Sequence, residues 1–103
     1  MLESQTMTVY AVFLEGNDFE LSRNGRKEML GFFVTVRIES QSEQEAASRA
    51  IEIVKADPQL EEAFRADTGK NPRIQAKLVH ELLPGNTMKN TEFVFYPMDE
   101  DDF

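Results

Sequence analysis

The chain contains no cysteine and only one histidine, His80. The lack of cysteine excludes a disulfide framework, a thiol nucleophile, a zinc site built on thiolates and a cysteine-ligated iron–sulfur cluster. There is no stretch of about 18 apolar residues, and the opening segment MLESQTMTVY has no basic region followed by an apolar run. We therefore expect neither a membrane span nor a signal peptide, and a cytoplasmic location.

Basic residues are also scarce, with 11 lysines and arginines against 19 aspartates and glutamates and a formal net charge of −8. A field of that sign opposes the phosphate neutralisation on which nucleic-acid affinity depends, so we expect no direct binding of DNA or RNA. The one dense basic segment, residues 23–27, is typical of a solvated hairpin tip. The acidic run at residues 99–102 is typical of a solvated tail, although it is also suited to docking on a basic partner.

The amounts of apolar and charged residues, 41% and 29% of 103 residues, are those of an ordinary globular protein. A chain of this length buries roughly two-thirds of its unfolded surface when it folds. We expect one domain over residues 1–103, ending in an acidic tail at residues 99–103.

The first half of the chain has the pattern of two strands. Residues 8–15, TVYAVFLE, are rich in β-branched and aromatic side chains, and the segment GND at residues 16–18 predicts the end of this strand. Asn24-Gly25 is a hairpin signal, because both positions of a type I′ turn require a positive φ. The polar residues around it suggest a short outer hairpin that leads into a long strand over residues 30–39.

A helical period follows. Ala47, Ala50, Ile51 and Val54 have the spacing of one apolar helix face, which Ala46 and Ile53 widen. Ser42 and Glu45 fit a capping box at the start of this helix. Asp57-Pro58 ends it, and Pro58 begins a second short helix that carries Leu60 and Phe64.

Two more strands complete the predicted fold. The segment RIQAKLVHELL alternates, which predicts that Ile74, Ala76, Leu78, His80 and Leu82 share one side. The segment TEFVFYPM predicts the last strand. The predicted order is β-β-α-α-β-β, which indicates an α+β fold: a four-stranded, mostly antiparallel sheet with its helices on one face, as in a ferredoxin-like or related two-layer sandwich.

The long strand has two usable faces, with Phe32, Val34, Val36 and Ile38 on one side and Phe33, Thr35 and Arg37 on the other. One layer of helices covers only one face of a sheet. We therefore expect a homodimer interface at Phe33, Thr35 and Arg37, beside either Tyr10, Val12 and Leu14 or Val9, Ala11 and Phe13. The alternative is that the polar segment after the first strand folds back over this face.

Few residues offer catalytic chemistry. His80 suits a general base only if a carboxylate orients it beside a substrate pocket, and a histidine satisfied by backbone or water is commoner. Arg37 and Tyr96, on predicted strands, join it as candidates for a small ligand-binding site. The motif TGK at residues 68–70 lacks the upstream glycine of a phosphate loop, and no metal-binding motif occurs. We assign no catalytic residue, metal or cofactor.

Two segments, GFFVTVRIESQSEQEAASRAIEIVKADPQL and FVFYPMDE, resemble a group of small acidic bacterial proteins of unassigned function. These share a glycine-aromatic-threonine strand, a helix with alanines at helical spacing and a terminal aromatic-Tyr-Pro-acidic segment. The resemblance implies a compact α+β domain and brings no reaction with it. The basic segment around Asn24-Gly25 and the run RIQAKLVHELL depart from the group.

Three functions are compatible with these features. The first is a non-catalytic binding or interaction module that self-associates through the uncovered sheet face. The second is an acidic accessory or antitoxin-like protein that binds a basic protein partner. The third is a small ferredoxin-like enzyme or small-molecule-binding domain with a pocket at Arg37, His80 and Tyr96.

Overall fold

The structure, a computed structural model, describes residues 7–65 and 71–98, without the side chain of Arg23. The acidic tail at residues 99–103 and the TGK segment therefore lie outside the described residues. In the order of the chain, the described elements are two strands, two helices and two further strands.

The first two strands form one long hairpin. Strand β1, Thr8–Arg23, pairs antiparallel with β2, Arg26–Ser40, along almost its whole length. The predicted turn at Asn24-Gly25 is confirmed, with φ angles of 53° and 78°. This pair of strands is much longer than the two strands that the sequence pattern indicates.

The predicted end of β1 at residues 16–18 is wrong, because the strand continues through a bulge. The pairing register shifts by one residue between Gly16 and Phe19, and Asp18 there has a φ of 66°. Glycine, asparagine and aspartate favour positive φ in bulges as well as in turns, so the same residues signal both. The bulge lets Gly16 and Phe19, three residues apart, face the same side of the sheet.

The helical layer follows the predicted pattern. Helix α1 is Glu43–Lys55; a 3₁₀ turn, Pro58–Leu60, leads into the short helix α2, Glu61–Arg65. Ser42 caps α1 by accepting a hydrogen bond from the Glu45 N–H at 3.1 Å. The carboxylate of Glu45 accepts from the N–H of Gln41, one residue before the capping box predicts, and from the Ser40 hydroxyl.

Helix α1 faces the sheet with a narrower stripe than predicted. Ala46, Ala50 and Val54 are buried, and Ile51 is only half-buried. Ile53, which we expected to widen the stripe, is 50% exposed. It lies beyond the edge of the face that contacts the sheet, so its burial in a monomer is limited.

The last two strands flank the hairpin. Strand β3, Arg73–Glu81, pairs antiparallel with β1, and β4, Val94–Pro97, pairs antiparallel with β2. The strand order is β3-β1-β2-β4. The predicted α+β fold, a four-stranded antiparallel sheet with its helices on one side, is confirmed.

The core lies between the sheet and the helices. Phe32 is fully buried at its centre, and its ring lies over the backbone of Gly16, where a Cβ would overlap it. Phe19, Phe93 and Phe95 surround that ring at centroid distances of 5.1, 4.9 and 6.0 Å. The rest of the buried apolar core is Tyr10, Val12, Leu14, Leu21, Leu30, Val34, Val36, Ile38, Ala46, Ala50, Val54, Leu60 and Ala63.

The predicted alternation of β3 is wrong beyond Ala76, because a second bulge interrupts it. Phe13 pairs with Leu78 while Leu14 pairs with Ala76, so Lys77 is an extra residue. One extra residue reverses the faces of all those that follow it in a strand. Val79 therefore joins Ile74 and Ala76 on the core side, and both Leu78 and His80 face away from the helices.

Candidate functional site

The sheet has one face that no described helix covers. We call it the open face. It is defined here over the part of β1 from Val9 to Asn17 and the strand positions beside it, and it consists of the residues that alternate with the core positions. The pairing registers place on it Val9, Ala11, Phe13, Glu15 and Asn17 of β1, Gly31, Phe33, Thr35, Arg37 and Glu39 of β2, Arg73, Gln75, Leu78 and His80 of β3, and Val94 and Tyr96 of β4. Of the two alternatives for β1, the set with Val9, Ala11 and Phe13 is therefore the one beside Phe33.

Three stacked rings form the centre of the open face. Phe13 stacks on Phe33 with centroids 5.5 Å apart, and Phe33 stacks on Tyr96 at 5.1 Å. Two aliphatic residues extend this row to both outer strands: Leu78 pairs with Phe13 and is 51% exposed, and Val94 pairs with Phe33 and is 62% exposed. The result is an apolar strip across all four strands, which we call the aromatic strip.

The Tyr96 end of the strip has a closed polar network. The Tyr96 hydroxyl donates to Glu15 Oε2 at 2.7 Å and accepts from Asn17 Nδ2 at 3.1 Å. Lys77 Nζ lies 3.9 Å from the other oxygen of Glu15. Burial of the ring, followed by its hydrogen bond to the Glu15 carboxylate, raises the pKa of Tyr96. The hydroxyl is therefore held neutral, and both of its hydrogen-bonding roles are filled.

Tyr96 lies close against β2 because Gly31 has no side chain. These residues are cross-strand partners, and a Cβ on Gly31 would overlap the tyrosine ring. The ring therefore lies flat on the backbone of β2 while it stacks on Phe33. Glycine is needed here for the close approach of the ring rather than for an unusual φ.

Arg37 belongs to the edge of the sheet. Its guanidinium Nη1 donates to the carbonyls of Asn86 and Met88 at 3.0 and 2.9 Å, and its backbone N–H donates to Asn90 Oδ1 at 2.7 Å. The backbone N–H of Thr35 donates to the Thr91 hydroxyl at 2.8 Å. Two of the three predicted interface residues, Thr35 and Arg37, thus fasten the loop of residues 86–91 to β2.

The three predicted ligand-binding residues share the open face but do not converge. His80 and Arg37 lie in one row, each paired with Ala11 on either side of it. Tyr96 pairs with Gly31, six residues along β2 from Arg37, which is roughly 20 Å at about 3.3 Å per residue. A groove of about 300 Å³ reaches Arg37 at the other end of the sheet, and its lining includes neither His80 nor Tyr96. The geometry gives no support to a shared pocket.

Within residues 7–65 and 71–98, no group of three histidine, aspartate or glutamate side chains is arranged to hold a metal ion. The helices in that part of the chain are too short or too polar to cross a membrane.

Charge is unevenly distributed between the two layers. The helical segment, residues 43–65, has six acidic and three basic side chains, a net charge of −3. Between Val9 and Asn17 the open face has two basic residues, Arg37 and Arg73, and two acidic ones, Glu15 and Glu39. Lys77, the extra residue of the β3 bulge, reaches Glu15 on this face and brings the net charge to +1. The acidity of the whole chain is thus not a property of this face.

Comparisons with known proteins give no relative: no family model, curated protein or solved structure matches the chain. The open face must be interpreted from its own chemistry. Sequence reasoning found Phe33 and Tyr96 but missed Leu78, Val94 and the network of Glu15 and Asn17. The alternation around Phe93 and Phe95 contained the signal for Val94, whereas Leu78 was hidden by the bulge at Lys77.

Proposed function

We propose that the protein is a non-catalytic interaction module whose copies associate through the open face. The aromatic strip is the observation that carries this proposal. It brings three stacked rings together with two aliphatic side chains that are each more than half exposed. Apolar clusters of this kind on a protein surface mark interaction sites.

The polar groups beside the strip favour its burial. Burying a hydroxyl or carboxylate without a partner is unfavourable. Tyr96 already has both of its hydrogen-bonding roles filled by Glu15 and Asn17, and Lys77 lies near the same carboxylate. Covering the strip with a second apolar surface therefore leaves no new unsatisfied group at this end.

The charge distribution favours a second copy as the occupant of this face. Two molecules of net charge −8 repel each other, and the repulsion is greatest where their acidic surfaces approach. The open face has a net charge close to zero, and the acidic helical layer lies on the opposite side of the sheet. Face-to-face association keeps the two helical layers as far apart as the fold allows.

A face of this size suits a reversible dimer. Nine residues in each of β1, β2 and β3 and the four residues of β4, at about 4.8 Å between strands and about 3.3 Å per residue, define a surface of about 500 Å² per copy. The total of about 1,000 Å² is at the lower limit for a specific interface. We therefore expect dimerisation that depends on protein concentration and resists salt, since its centre is apolar.

Leu78 and Ile53 provide a matched pair of variants for the test. They are exposed to the same degree, 51% and 50%, but lie on opposite layers of the domain. The solution mass is measured by analytical ultracentrifugation over a concentration series for the parent, Leu78→Glu and Ile53→Glu. We expect the concentration of half-dimerisation to rise at least about tenfold in Leu78→Glu only, because the new charge is buried in the interface.

A parent that stays monomeric at millimolar concentration contradicts the proposal. Loss of the dimer in Ile53→Glu but not in Leu78→Glu contradicts the choice of face. A repeat of the series at high salt separates apolar association, which persists, from association by charge, which weakens.

The acidic helical layer favours a second candidate function, the binding of a basic protein partner. Its six acidic side chains include Glu52 on α1 and Glu61 on α2, both exposed. A basic protein held by this layer should co-purify at low salt and dissociate at high salt. The double variant Glu52→Lys/Glu61→Lys should lose it, whereas Leu78→Glu should retain it; the reverse pattern contradicts this candidate.

A further inference from the structure

The two edges of the sheet differ in how their backbone groups are satisfied. In an antiparallel ladder, alternate residues direct both N–H and C=O to one neighbour, and the residues between them direct these groups to the other side. The N–H groups of Thr35 and Arg37 bond to the loop of residues 86–91, which fixes the odd-numbered residues of β2 as those that point away from β1.

The outer edge of β2 is occupied from Met29 to Glu39. Strand β4 pairs with Gly31 and Phe33, and its continuation donates from the Met98 N–H to the Met29 carbonyl. The loop of residues 86–91 covers the next two outward positions. Beyond them, the guanidinium of Arg49 donates to the Glu39 carbonyl. This edge therefore has few groups to offer another chain.

The outer edge of β3 is different. The Leu82 N–H bonds to the Val9 carbonyl, so the odd-numbered residues of β1 point towards β3. With the bulge at Lys77, the residues of β3 that point outward are Ile74, Ala76, Val79 and Glu81. No hydrogen bond joins their outward backbone groups to any residue in the described part of the chain.

A small apolar cleft lies beside this edge on the side of the helices. Its volume is about 110 Å³, and it is lined by Ile51, Lys55, Phe64, Pro72 and Ile74. Ile74 thus contributes both outward backbone groups and a wall of the cleft. A cleft of this volume suits one aliphatic side chain.

Basic side chains surround the edge. Arg73 and Lys77 are exposed on β3 itself, and Lys55 lines the cleft. Against these three basic residues stand Glu81 on the same strand and Glu15, which pairs with Lys77, so one positive charge is in excess. In a chain of net charge −8, this local excess favours an acidic ligand.

We propose that the outer edge of β3 binds an extended acidic peptide segment by strand addition, with one aliphatic side chain of that segment in the cleft beside Ile74. In strand addition the main-chain hydrogen bonds supply affinity, and pockets for alternate side chains supply specificity. Acidic side chains on the other face of the added strand then lie near Arg73 and Lys77. The backbone groups of this edge site do not belong to the aromatic strip, whereas Arg73 and Lys77 lie beside the strip on the same face.

A second copy of β3 is a poorer occupant of the same edge. In the antiparallel register that pairs Ile74 with Glu81 and Ala76 with Val79, the Lys77 residues of the two copies lie beside the two-fold axis. Bulges and lysines on edge strands are features that prevent such pairing. The edge thus selects a segment of opposite charge.

The probe for this proposal is the fluorescently labelled peptide ETELETEG, blocked at both ends. Its glutamates alternate with one leucine and two threonines, so that as a strand it presents an acidic face and an apolar anchor. We expect binding in fluorescence anisotropy at about 50 mM NaCl and much weaker binding at about 500 mM. The peptide KTKLKTKG, with the same spacing and reversed charge, is the control and should not bind.

Amide hydrogen exchange, followed by NMR, identifies the binding mode. Strand addition should slow exchange at the N–H groups of Ile74, Ala76, Val79 and Glu81, which point outward. Those of the residues between them already bond to β1 and should change little. Protection elsewhere, or no binding of ETELETEG at millimolar concentration, overturns the proposal. Slow exchange at the same four amides without peptide, increasing with protein concentration, shows instead that a second copy occupies the edge.

Two variants test separately how the backbone hydrogen bonds and the positive charge contribute to peptide binding. Ala76→Pro removes one outward N–H without removing a bond to β1, and it should abolish binding. Lys77→Glu preserves all outward donors and should weaken binding about fivefold to tenfold through charge alone. If Ala76→Pro fails to fold, Lys77→Glu and the exchange pattern still decide. Equal binding of the acidic peptide by the parent and by Lys77→Glu at low salt contradicts the proposed attraction between Lys77 and the acidic side chains of the peptide.

Discussion

Phe32 and Phe33 are adjacent in the chain and face opposite sides of the sheet, so replacing each by alanine compares the two faces directly. Phe32 is fully buried and contacts three other rings, whereas Phe33 is half-buried between Phe13 and Tyr96. We expect Phe32→Ala to lower the free energy of unfolding by about 3–5 kcal/mol, the range for a fully buried phenylalanine. This is a large fraction of the 5–15 kcal/mol typical of a domain.

For Phe33→Ala in the monomer we expect a loss of about 1–2 kcal/mol, because only part of its surface is removed from water. Urea unfolding followed by circular dichroism at low micromolar protein measures both values. At higher concentration the cost of Phe33→Ala should rise, since the parent then gains stability from dimerisation. The cost of Phe32→Ala should stay the same. Equal costs for the two variants in the monomer refute the assignment of Phe33 to an uncovered face.

Three further predictions concern single contacts. Hydrogen bonds from the hydroxyl and the N–H of Ser22 lower the pKa of Glu62. The ionised Glu62 therefore stabilises the fold above the usual pKa of 4.5, and this stabilisation is lost as the pH falls through the lower pKa of the folded state. The difference in Tm between the parent and Glu62→Gln should accordingly shrink between about pH 7 and about pH 3. In a Tyr10→Phe background, absorbance at about 295 nm should titrate with a pKa above 10.0 for Tyr96, and Glu15→Gln should bring that pKa back towards 10.0. Arg37→Ala should speed amide exchange in residues 86–91 and lower the free energy of unfolding by about 1 kcal/mol, because the carbonyls of Asn86 and Met88 lose their donor. Unchanged exchange in these residues contradicts the role of Arg37 in holding the loop.

The layer structure could be predicted from periodicity, and the errors in the predicted strands came from two bulges. Alternation placed Phe32 and Val34 in the core, and helical spacing placed Ala50 and Val54 against them, because burial on one face imposes these periods. A bulge inserts one residue without changing the composition of the strand. The positive φ at Asp18 and the extra residue at Lys77 thus left no pattern that alternation alone can detect.

The candidate site was only partly accessible to sequence reasoning for a related reason. Residues on an uncovered face alternate with the core positions, so Phe33 was found by elimination. The partners of Tyr96 are Glu15 and Asn17, about 80 positions earlier in the chain, and their meeting depends on the strand order β3-β1-β2-β4. The hydrogen bonds of Arg37 to the carbonyls of Asn86 and Met88 could not be predicted, because a loop that folds back onto a strand edge has no periodic signature.

The most direct test of the open face as a self-association surface is the solution mass of the parent protein compared with that of Leu78→Glu and Ile53→Glu over one concentration series. An interface on the open face predicts a salt-resistant dimer for the parent and Ile53→Glu, and a monomer for Leu78→Glu in the same range. A parent that remains monomeric throughout, or a Leu78→Glu variant that dimerises as the parent does, contradicts it.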